Sequence, residues 1–454
     1  MTVSLRRLSL VLALHAGAAC RDEGGETVAG PGVALLAGAD LSQDRDAAVV
    51  ERGRALLRGA LADYQRGGHH ADAARAAEYL SRAPRPEARF KDALDYATIA
   101  VDEAHLSKNA TATGRALTAL AEVYDDIGMV HEAKDAFFRA EENLRGDPGR
   151  LAFAYMKHGI FLVDQESAQA RRAGLAYLRT ARTIVRESRQ VSAGIRDTVE
   201  YAVQLNAAPA YADLGDRAAA EAELVAEPIG DDQRRTMSLT RGFLAARGDR
   251  IEEAVQLFAA ARPADYGLDS SLWAALELAR ACRRAGRMED AERYFRDAIA
   301  HVEDLRDDGA HSLRPLVMAR RASAYTELVA LLAGQQRGLA ALVVAESLHA
   351  RTWLDAVLGS GADRLLSVDQ GVREAEVRSR QPAQPALDAE ALLARLGDRE
   401  ALLLLQAGTG FWRVHVVGRR VTITPIADAD RDAIIAFRDH PDNRAAAARA
   451  ARAL

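Results

Sequence analysis

The side chains that could do chemistry are few and scattered. The chain carries two cysteines, Cys20 and Cys282, and 11 histidines. A cysteine peptidase needs a thiolate to attack the peptide carbonyl and an imidazole to shuttle the proton. His349, His415 and His440 lie late in the chain, yet no cysteine follows residue 339 to partner them. His415 falls in an alternating stretch and His440 precedes Pro441, positions that suit structural or surface roles. His69-His70 with Asp72 could hold a metal weakly, but beside Gly67-Gly68 they read better as a polar turn between helices. His131-Glu132 lacks the second histidine of a zinc-protease helix, and Gly408-Thr409-Gly410 is too short for a dinucleotide fingerprint. No Gly-rich loop ends in Lys-Ser or Lys-Thr, and no serine sits in a nucleophile elbow. No catalytic residue is therefore assigned, and no cofactor or metal is expected.

Composition points the same way. At 454 residues the chain has room for two or three domains, or one long solenoid and a smaller domain. Hydrophobic residues make up 49%, enough to exclude disorder over most of the length. Aromatics are only 5% and alanine is abundant, which suits close helix packing. A net charge of -5 with 28% charged residues describes a mixed, solvated surface, with no argument for nucleic acid.

The elements are set by a repeat. Leu120-Ala121 is followed by Tyr124, Gly128, Ala133, Phe137 and Ala140; Leu278-Ala279 is followed by Cys282, Gly286, Ala291, Phe295 and Ala298 at identical offsets. Small residues mark where two antiparallel helices approach closely, larger ones fill the space between pairs, and the glycine ends the first helix. Cys282 takes a packing position, so a buried thiol is expected. This pattern resembles tetratricopeptide (TPR) repeats, with a period of about 34 residues. An alanine-rich helical bundle is the competing reading, against which two copies at fixed offsets argue. Tyr211, Gly215, Ala220 and Leu224 fit the template; Leu244, Gly248, Ala254, Phe258 and Ala261 fit with one extra residue in the turn. Around Ala173, Tyr177 and Ala181 only a second helix is clear, and Ala93, Ala97 and Ala100 suit another. The resemblance implies a scaffold holding a protein or peptide ligand in a concave groove, with Lys157 and Arg241 as groove candidates.

After Gly359-Ser360-Gly361 the character changes. Ala401 to Gln406 is a continuous apolar run, while Trp412 to Val417 and Val421 to Ile426 alternate, so three strands in a meander are expected. A helix over 428–438 would follow. The helix Ala340-Leu342-Val344-Ala345-Glu346-Ser347, continuing through Arg351 to Leu354-Asp355, with this meander after it, resembles the start of a CHAT domain. Such domains are caspase-like and commonly follow TPR repeats. The resemblance implies a cysteine peptidase, or its regulatory part, whose catalytic His and Cys are missing from this chain.

The amino terminus has the layout of an export signal. Arg6-Arg7 precede an apolar run from Leu8 to Leu14, and small residues lead to Cys20. Ala18-Ala19-Cys20 resembles a bacterial lipoprotein box, although Gly17 stands where an aliphatic residue is usual. That resemblance implies a lipid on Cys20, membrane attachment through it, and outer-membrane or periplasmic placement. Simple secretion and an uncleaved cytoplasmic segment stay open. The expected organisation is a signal over 1–20, a flexible tether over 21–45, repeats over 46–358, linker and helices over 359–395, and a partial CHAT-like meander with a helix over 396–454. The fold class is mainly α: a TPR-like alpha-alpha superhelix followed by a small α/β segment. Cys20→Ser should abolish incorporation of radiolabelled palmitate and release the protein from membranes; label that survives the substitution contradicts the anchor.

Overall fold

The computed structural model describes residues 31–41, 47–82, 90–165, 167–224, 231–263, 268–308, 321–345, 347, 400–407, 410–417 and 420–426. Helices α1 to α15 are Pro31–Leu41, Ala47–Gly67, His70–Arg82, Phe90–Ser107, Ala110–Ile127, Val130–Asn143, Pro148–Val163, Ala168–Glu187, Ala193–Asp213, Arg217–Glu223, Asp231–Arg247, Ile251–Ala261, Leu268–Arg284, Met288–Asp308 and Ser323–Gly334. Residues 338–345 are also helical. Three strands follow: β1 Glu400–Ala407, β2 Gly410–Val417 and β3 Arg420–Pro425. The fold is mainly α, a TPR-like array of helix hairpins with a small sheet. The chain divides into two compact units, Met1–Ala281 with His301–Val317, and Cys282–Ala300 with Met318–Leu454.

In the first unit consecutive helices pack as hairpins: α1 on α2, α3 on α4, α5 on α6, α7 on α8, α9 on α10 and α11 on α12. The first helices of neighbouring hairpins also touch, from α3 through α5, α7 and α9 to α11. Side-chain caps fix the starts. Asn109, Asp147, Ser167, Ser192 and Asp216 each accept a bond from a backbone N–H three residues on, satisfying a donor that the helix leaves open.

Several hairpins share one turn. Gly128 has a φ of 98°, and the next residue, Met129, donates its N–H to the Tyr124 carbonyl. Asp216 to Tyr211, Arg250 to Ala245, Arg287 to Cys282 and Arg337 to Leu332 repeat that bond. The left-handed residue before Arg250 is Asp249, with a φ of 59°. Gly248 is therefore not the turn glycine, and the expected extra residue does not exist. Asp249 stands where Gly128 and Gly286 stand, because an aspartate tolerates this conformation at modest cost. Counting back seven residues from Asp249 gives Gly242, the counterpart of Ala121. A methyl there would lie 2.7 Å from the Phe258 ring, so the glycine makes room for it.

Two other expectations change. Residues 31–41, inside the stretch expected as a flexible tether, form α1; Leu35 and Ala39 are buried and the helix packs on α2. Its apolar sequence has a partner face to cover it, which a tether would not. In α8, Ala173 is exposed, and Gly174, Leu178 and Ala181 take the packing positions. The reason is a crossing of unusual closeness: a methyl on Gly174 would lie 2.6 Å from the Val163 nitrogen and 2.7 Å from the Gly159 carbonyl oxygen. The partner first helix that the sequence left unclear is α7. Ala93, Ala97 and Ala100 are buried in α4, the second helix of its hairpin.

In the second unit β1, β2 and β3 form an antiparallel meander in that order. Ala407 pairs with Gly410 and Val417 with Arg420, so the ladders run to the strand ends. Both β1 and β3 touch α15, and a methyl on Gly338 would lie 2.7 Å from the Val421 carbonyl oxygen. Cys20, the signal, the linker over 359–395 and the helix expected over 428–438 lie outside the described residues. Gly174→Ala should destabilise the chain by about 3 kcal/mol, since backbone must move. Gly59→Ala, in α2 with open space at its Cβ, should stabilise it by about 0.5–1 kcal/mol. Urea melts check both, and the same sign at the two sites contradicts the crossing.

Candidate interaction face

The residues singled out from the sequence occupy the packing layer. Ala121, Ala133, Ala136, Phe137 and Phe161 form one cluster, with Tyr124 half-buried against it. Leu120 and Ala140 are buried. In the second copy Leu278, Ala279, Cys282, Ala291, Phe295 and Ala298 are each buried, and Gly286 is left-handed. Cys282 is buried and forms no disulfide. These side chains build the array, and a partner must be met by others.

The first helices carry charge into the interior. Arg82 and Arg115 reach the two oxygens of Glu78 at 2.8 and 2.6 Å. Arg82 also lies 3.8 Å from Glu122, and Lys157 lies 3.4 Å from it. This ladder ties α3, α5 and α7 together. Burial pushes the Glu78 carboxyl up, but Arg115, Arg82 and Arg150 overcome that and hold it below the ordinary carboxylate range. Lys157, expected to line a groove, is thus a buried structural cation; its partner Glu122 is 35 residues earlier, a pairing no local pattern reveals.

A second ladder continues on later helices. Asp213 sits 3.4 Å from Arg171 and 2.9 Å from Arg247. Arg247 also donates to the Pro209 carbonyl and lies 3.6 Å from Glu277, which Arg280 meets at 2.8 Å. Burial pushes the Asp213 carboxyl up, beyond what Arg247 and Arg171 pull back.

At the junction of α6, α7 and α8 an aromatic cluster surrounds His158. Phe137 stacks on its ring, Phe138 meets it edge-on, and Tyr177 lies 4.4 Å away. Nδ1 of His158 is 2.6 Å from Glu141. Burial, Glu141 and Tyr155 push the Tyr177 hydroxyl up to about 12. His70 is 2.8 Å from Glu103 and His69 lies edge-on to Tyr64, so this pair joins helices; among the described residues no cluster suits a metal ion. His415 is half-buried in β2; His349 and His440 lie outside the described residues.

The first helices α9 and α11 both expose charged residues, Asp197 being the one on α9. In the central turns of α5, α7 and α13 every described residue is buried or half-buried. In α11, Arg234 and Arg241 are exposed and Ser238 half-buried. Their spacing of four and three residues puts them on one helix face. Arg241, the other groove candidate, donates a 3.4 Å bond to the Leu224 carbonyl.

No family model matches the chain, and no curated protein matches it. Among solved structures, the crystal structure of a Rap protein complexed with competence and sporulation factor is similar at 13% identity and a TM-score of 0.38, over 78% of this chain and 99% of that one. A likeness this slight carries no functional argument.

The Glu78 carboxyl is held low in the fold, so its contribution is present above the unfolded carboxylate pKa and is lost as pH falls through the folded one. Glu78→Gln should cost about 3 kcal/mol at neutral pH, because two buried-side arginines lose their anion, and should flatten the loss of stability on acidification. Urea melts across the acidic range check this; an unchanged acid slope contradicts the ladder.

Proposed function

We propose that this chain is a protein-interaction scaffold, non-catalytic, that holds a peptide or helix of a partner protein against the layer of first helices. The observation that carries this reading is the repeated hairpin: neighbouring first helices touch in series, and such arrays present an extended binding surface. The domain limits proposed are repeats from α1 to residue 358, a linker over 359–395 and the segment over 396–454. Export with a lipid on Cys20 belongs to the same proposal. It would place the scaffold at a membrane surface.

A second reading takes its support from the antiparallel meander β1-β2-β3. In it the repeats are the regulatory part of a CHAT-type cysteine peptidase, whose His and Cys are supplied outside this chain. Partner binding to the repeats would then govern the protease.

Photo-crosslinking in native cells tests the leading reading. A benzophenone amino acid at Ser238, on a first helix, should capture a partner protein, and the same residue at exposed Ala173, on a second helix, should not. Capture from Ala173 alone contradicts it.

A further inference from the structure

The exposed face of α11 identifies the chemistry of the partner. We infer that Arg234 and Arg241, flanking Ser238, receive acidic side chains of a partner segment, and this inference rests on the scaffold reading above. The central turns of α5, α7 and α13 expose no described residue, while α11 exposes two cations two turns apart, one of them near its start. The acidic residues of the helix, Asp231 and Asp232, are its first two residues.

Much of the other charge on the first helices is paired inward, although Asp197 of α9 is exposed. Glu78, Glu122, Lys157, Asp213, Arg247 and Glu277 are bound to each other within the two ladders. Arg234 and Arg241 differ in being exposed, so carboxylates can approach them from solvent. An exposed arginine exchanges one partner for another at a cost of about 0–1 kcal/mol, so existing contacts do not bar a ligand. Guanidinium groups also take carboxylates in a two-point fork, which favours Asp and Glu side chains over a diffuse negative surface. The ligand is thus an acidic protein segment with carboxylates spaced to reach both arginines.

The test uses the full chain and a fluorescein-labelled decaglutamate peptide, with labelled decalysine as the opposite probe. Decaglutamate should bind, and weaken as salt rises. The double variant Arg234→Glu with Arg241→Glu should bind about tenfold more weakly, the equivalent of two exposed charge contacts. Arg172→Glu with Arg179→Glu is the matched control: both arginines are exposed on second helix α8, also seven residues apart, and binding should persist. Arg234→Gln with Arg241→Gln should fall between, which separates loss of contact from misfolding. Equal binding by both reversal variants, or tighter binding of decalysine, overturns the inference. Capture of a partner from Ser238 that survives Arg234→Glu with Arg241→Glu also overturns it, yet leaves the scaffold reading standing. No capture from Ser238 in the unaltered chain removes the scaffold reading itself.

Discussion

The structure depends on how closely two antiparallel helices can approach within a hairpin. Where α7 crosses α8, Gly159 and Gly174 bring the backbones into contact. In the α5–α6 hairpin Ala121 and Ala133 do this with small side chains, and in α11–α12 Gly242 accommodates the Phe258 ring. Dispersion forces reward such closeness only when every neighbouring pair keeps it. One bulky residue at a crossing would tilt its hairpin and displace the first helix that the next hairpin packs against. The left-handed turns serve the same constraint, because they fix where the second helix starts relative to the crossing.

Close packing leaves little room for water among the first helices, so charge there must be paired. The two ladders satisfy this. Several of their ion pairs, Glu122–Lys157 and Asp213–Arg247 among them, join different hairpins and so set the position of one repeat relative to the next. Buried ion pairs return little net stability, since desolvation offsets most of the attraction. Their effect is on register: a hairpin shifted by one turn would leave a carboxylate or guanidinium buried without its partner, at a cost of several kcal/mol. The opposite behaviour of Glu78 and Asp213 shows how narrow the balance is. Arginines outweigh burial at the first and fail to at the second.

The hairpin positions were legible because they are local. Gly128 and Gly286, with alanines and a phenylalanine at fixed distances, specify a turn and a crossing within 24 residues. Legibility failed where a different residue meets the same physical need. Asp249 takes a left-handed conformation as Gly128 does, and the adjacent Gly248 masked it. Gly174 replaces the expected alanine because its crossing is closer, so Ala173 and Tyr177 drew the pattern one residue out of register. The alternation of Trp412 to Val417 and Val421 to Ile426 located β2 and β3, since a period of two leaves few other options. The two groove candidates looked equivalent in the sequence. Arg241 is exposed, whereas Lys157 is buried, and only the fold shows Glu122 beside it.

A partner held on the first helices should protect the backbone there and nowhere else. Hydrogen exchange of the full chain, free and bound to the partner captured from cells, measures this directly. The account predicts slowed exchange in α11 and in the neighbouring first helix α9, with second helices α8 and α12 unchanged on their exposed faces. Protection confined to second helices, or to β1, β2 and β3, would contradict it.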